Sequence, residues 1–123
     1  MRRYLTWPEA VSALRRGKAV EQLLPARPHH GQPTVRWLAV YPRDGLFVVG
    51  LHHVLDPCDP QFLDVTEFAP VDELEGVGEG VEVDNAPCPE HALRAAARFG
   101  AVPERWVNQF VVAEEYRDAH GWT

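Results

Sequence analysis

A chain of 123 residues, 46% hydrophobic and 24% charged, has room for one core, buries roughly 65% of its unfolded surface and lacks the composition of a disordered segment. Its formal net charge of -6 argues against a general nucleic-acid binder, and no apolar run approaches the ~20 residues of a membrane span. Two cysteines are too few for a disulfide scaffold, so a reducing cytoplasm is the expected compartment.

Met1-Arg2-Arg3 has the charge of a secretory leader, but Trp7-Pro8-Glu9 interrupts any apolar stretch at once. Thr6 followed by Glu9 is a capping box, with Pro8 in the first turn, where its missing N–H costs nothing. Ala10, Val11 and Leu14 fall on one helical stripe, which Gly17 closes. Lys18–Leu24 (KAVEQLL) is expected to form a second short helix before Pro25. The segment Pro25–Pro33, with three prolines, two histidines and a glycine, is expected to be an exposed loop.

The stretch Thr34–Leu55 organises the chain. Two runs rich in Val, Leu, Trp, Tyr and Phe flank Pro42-Arg43-Asp44-Gly45, and Asp-Gly supplies the positive φ angles of a tight reversal. Val35–Tyr41 and Leu46–His53 should therefore pair as a β-hairpin. After a turn-rich Asp56-Pro57-Cys58-Asp59-Pro60, the alternation in Gln61–Phe68 (QFLDVTEF) predicts a third strand. Asp72–Gly80 carries three glycines and four carboxylates and predicts a solvated loop. Val81–Asp84 has the makings of an edge strand. Pro89-Glu90 opens a helix whose Leu93, Ala96 and Ala97 face inward and which stops at Gly100. Pro103 opens a turn, and Asn108–His120 predicts a terminal helix with Gly121 past its end. The fold expected is a single α+β domain: an antiparallel sheet of three to four strands, flanked by N-terminal and C-terminal helices.

Charge is distributed unevenly. Asp56, Asp59, Asp64, Glu67, Asp72, Glu73, Glu75, Glu79, Glu82 and Asp84 fall in one span without a single Lys or Arg. Surfaces normally mix signs, because like charges held close repel. Such a run is either a solvated face or a footprint for a basic protein partner; on the second reading Asp72, Glu73, Glu75, Glu79 and Glu82 carry the contact. Trp122 either folds back or serves as an interface anchor. Trp37 is expected in the core, and Trp7 as a staple beside the capping box.

Thiolate and imidazole are the ligands a tetrahedral zinc prefers, so His53, Cys58, Cys88 and His91 form an alternative metal set. The spacing is half right, since a zinc ribbon repeats two regular knuckles, and Cys88 before Pro89 equally suits a helix N-cap. The chain has no phosphate-cradling glycine loop, no G-x-S-x-G and no H-E-x-x-H, and its one serine, Ser12, falls inside the first helix. Cys58 or Cys88 with His91, or Asp64 and Glu67 with His53, can be drawn as catalytic groups, but nothing in the sequence narrows a reaction class. No cofactor is expected.

Phe62-Leu63-Asp64-Val65-Thr66-Glu67-Phe68, Pro70-Val71-Asp72 with the acidic glycine-rich loop, and Arg105-Trp106-Val107-Asn108-Gln109 with Glu115-Tyr116 together resemble small uncharacterised bacterial proteins of immunity-protein type. The resemblance covers the second half of the chain. It implies a small acidic α+β protein that binds and blocks a toxin, and it hands over no active-site residues. The leading expectation is thus a non-enzymatic, cytoplasmic binding protein; the alternative is a small enzyme or zinc-binding domain using His53, Cys58, Cys88 and His91.

Overall fold

In the computed structural model, which describes residues 4–122, β2 (Thr34–Arg43) and β3 (Leu46–Leu55) pair antiparallel along their whole length around Asp44-Gly45. Asp44 has φ 51° and Gly45 φ 80°, the two left-handed residues of a type I′ turn whose twist matches the strands it joins. The Met1-Arg2-Arg3 segment lies outside the described residues.

Three more strands complete one open antiparallel sheet in the order β4-β3-β2-β1-β5, with β1 at Val20–Leu24, β4 at Val81–Ala86 and β5 at Val107–Asn108. The architecture is α+β, with one strand more than the sequence led us to expect. The expected helix over Lys18–Leu24 is instead β1. It lies inside the sheet between β2 and β5, and packed layers cover both of its faces, which erases the polar alternation of a surface strand. The expected strand Gln61–Phe68 is a turn followed by a 3-10 turn at Val65–Glu67, because Asp64 accepts from the Thr66 N–H and hydroxyl and starts that turn. Phe62, Leu63, Val65 and Phe68 still reach the core from it.

Helix α1 (Trp7–Arg15) begins at the Thr6/Glu9 capping box, and Gly17, at φ 83°, follows its end. Helix α2 (Pro89–Ala96) starts at Cys88, whose side chain makes no capping hydrogen bond. It buries Ala92, Leu93 and Ala96; Ala97, expected inside, is exposed in the 3-10 turn that carries the chain to Gly100. Helix α3 covers Val111–Ala119 rather than starting at Asn108, since Val107 and Asn108 are taken by the sheet.

The sheet is covered on both faces. Leu14, Val20, Leu38, Val40, Val49, Leu93 and Trp106 fill the layer under α1 and α2. Val35, Trp37, Val54, Phe68, Val107, Val112 and Tyr116 fill the layer under α3 and the 56–80 connection. Alternate residues of β2 thus enter opposite cores, and each fully buried large side chain stabilises the fold by roughly 1.5–3 kcal/mol. The outer margins are β4, which carries a bulge opposite Val49 and Gly50, and the two-residue β5.

Candidate functional site

The turn that leaves β3 meets the end of α3. Asp56, whose side chain is 5% exposed, accepts from the Tyr116 hydroxyl at 2.5 Å and the Cys58 N–H at 2.8 Å through Oδ1, and faces His120 Nε2 at 2.7 Å through Oδ2. The His120 ring stacks on Trp122 with centroids 4.1 Å apart and planes 7° apart, while Tyr116 meets both rings edge-on. Burial pushes the Asp56 carboxyl up, but the hydrogen bonds from Tyr116, Cys58 and His120 outweigh it and hold the group below its ordinary value. Burial, and then the negative Asp56 beside it, push the Tyr116 phenol far above its usual range.

Asp56, Tyr116 and His120 form one wall of a cleft of about 700 Å³. The facing wall comes from the end of β1 and the start of β2, with Arg36 and Arg105 among mainly apolar neighbours. The polar scaffold behind it is well satisfied. The Gln22 amide, in a side chain 2% exposed, bonds both the N–H and the carbonyl of Val102, and the Arg27 carbonyl takes the Thr34 hydroxyl and the His53 ring.

The structure does not gather His53, Cys58, Cys88 and His91. His53 pins the 25–33 loop, Cys88 stands at the N-cap position of α2 without a side-chain capping bond, and His91 is exposed on that helix. Among the described residues, the group of ligand-type side chains within 4.8 Å of one another is Asp56, Cys58 and His120, so only Cys58 of the expected set belongs to it. Asp64, Glu67 and His53 do not come together as such a group, and Asp64 is taken up by Thr66 at the start of the 3-10 turn.

The acidic span is partly neutralised from elsewhere in the chain. Glu82 pairs with Arg43 at 2.5 Å, and Asp84 pairs with Arg98. Asp59 and Asp72 accept backbone N–H groups of their own turns. Glu73, Glu75 and Glu79 meet no cation among the described residues, and they surround Leu74, which is 95% exposed, and Val77, at 59%. Trp122, half-buried, folds back against Tyr116 and His120.

Fold and site together define an α+β protein with one open antiparallel sheet, a cleft at the end of β1 and an acidic loop between β3 and β4. No protein family, curated protein or solved structure matches the chain.

Proposed function

We propose that this chain is a non-enzymatic binding protein that blocks a basic protein partner, as an immunity protein blocks a toxin, through the loop over residues 72–79. Leu74 carries the reading. A leucine left 95% in water, between Glu73 and Glu75 and near Val77 and Glu79, forgoes the roughly 1.5–3 kcal/mol its burial offers. A partner that covers it recovers that energy, while the surrounding carboxylates select a positively charged surface and speed encounter. The mechanism is steric occlusion aided by charge, and neither an intrinsic reaction nor a nucleic acid enters it.

Affinity capture from the native cell tests this with wild type, the Glu73→Lys/Glu75→Lys/Glu79→Lys variant and Leu74→Ala. A basic protein should be retained by wild type and lost by both variants. Its association should slow as salt compresses the ~8 Å Debye length of physiological solution. Identical capture by all three proteins would leave the loop as a solvated face and remove the reading.

A further inference from the structure

The geometry points to a zinc-class divalent cation site built from Asp56, Cys58 and His120. It is independent of the acidic-loop reading, with which it shares no residue. A carboxylate, a thiol and an imidazole bring their ligand atoms within 4.8 Å of one another, although His120 lies 64 positions from Asp56 in sequence. Zinc binds such atoms at ~2.0–2.3 Å, so ligands around one ion stand some 3–4 Å apart, a spacing that small side-chain rotations reach here. A thiolate beside an imidazole selects a borderline-soft ion over magnesium or calcium.

The groups behind these ligands are already in place. Tyr116 and the Cys58 N–H both hold Asp56 Oδ1, which turns Oδ2 toward His120. Trp122 and Tyr116 fix the plane of the imidazole. Outer partners that orient ligands in this way are a regular part of metal centres. Cys58 itself adopts a left-handed φ of 52°, which costs a non-glycine residue roughly 1–2 kcal/mol and is held by the Asp56 hydrogen bond. An aspartate–histidine pair alone requires neither a thiol nor that backbone. Because Asp56 and His120 also line the 700 Å³ cleft, a bound ion has an entry path and a coordination position left for water or an incoming donor.

Binding balances in charge and protons. The Cys58 thiol gives its proton to solvent, and His120 binds through a ring nitrogen that carries no proton. One carboxylate and one thiolate then neutralise the divalent ion.

Cobalt(II) is the direct probe, with zinc as competitor, on the full chain purified in chelator and then freed of it. One equivalent of cobalt should bind with a thiolate-to-metal charge-transfer band, and zinc should displace it. Cys58→Ser should abolish the band and weaken binding at least tenfold. His120→Gln, which keeps a donor for Asp56, should also weaken binding at least tenfold while leaving the circular dichroism of the fold unchanged. Cys88→Ser should bind as wild type does. Cobalt bound without a thiolate band, binding unchanged in Cys58→Ser, or loss of binding in Cys88→Ser would each overturn the assignment.

Discussion

The Tyr116 hydroxyl donates to Asp56 Oδ1 across 2.5 Å and so ties the last helix to the turn that leaves the central hairpin, 60 positions earlier in sequence. The bond ends on a carboxylate with a 5% exposed side chain, where the loss of a donor is not made good by water. Tyr116→Phe should therefore destabilise the protein by about 1.5–3 kcal/mol, read from urea unfolding near neutral pH. The acid side of the stability profile should move as well. Asp56 has a depressed folded pKa, so its contribution is present above its unfolded value and lost as pH falls through the folded one. In Tyr116→Phe the folded pKa should rise, so that contribution should be smaller and the acid limb of the profile shallower; an unmoved acid limb would mean that the hydroxyl does not hold the carboxylate.

His52 gives a second pH dependence, in a different window. Its ring lies flat on Trp37, with centroids 4.4 Å apart and planes 2° apart, and burial lowers its pKa to about 4. The unfolded chain binds this proton near pH 6.5 and the folded one only near 4, so the contribution is complete above ~6.5 and shrinks as pH falls toward 4. Its full size is on the order of 3 kcal/mol. His52→Phe keeps a stacked ring and removes the titration, so its stability should fall less than wild type between about pH 7.5 and about pH 5. Parallel profiles for the two proteins would show that the histidine is already free to take up a proton in the folded state.

Two glycines with similar backbone strain should respond differently to a methyl group. A Cβ on Gly45, at φ 80°, meets nothing within 4 Å, whereas one on Gly80, at φ 68°, lands 2.8 Å from the His52 ring. Gly45→Ala should cost roughly 1–2 kcal/mol from the left-handed backbone alone. Gly80→Ala should add about 1–3 kcal/mol of overpacking against a ring that is itself held by Trp37. His52→Ala introduced into Gly80→Ala should recover part of the added cost. Equal costs for the two alanine variants would show that the ring yields freely.

The parts of this fold that local chemistry determines are readable from the chain alone. Asp44-Gly45 specifies the reversal, Thr6 and Glu9 the start of α1, and Pro89 the start of α2. What local chemistry does not determine is misread. Lys18–Leu24 has a helix former at nearly every position, yet its polar members find partners only in three dimensions: Gln22 at Val102, and Glu21 at the N–H of Phe110. The alternation of Gln61–Phe68 imitates a strand because its apolar residues cover a core, while Asp64 bends the backbone. The candidate metal group is hidden for the same reason, since its ligands come from two segments with no regular spacing between them. The basic residues that neutralise Glu82 and Asp84 are likewise far away in sequence.

The margins of the sheet also bear on self-association. An open edge with free N–H and carbonyl groups is a template on which further copies of a chain can stack. Here β4 presents Glu82 and Asn85 outward, with Arg43 and Arg98 drawn onto its carboxylates, and its bulge breaks the straight ladder a new strand would need. At the opposite margin β5 offers only two residues, too few to register another strand. A long, apolar and strongly paired hairpin is thereby kept in the middle of the sheet, away from the margins where strand-by-strand growth would start.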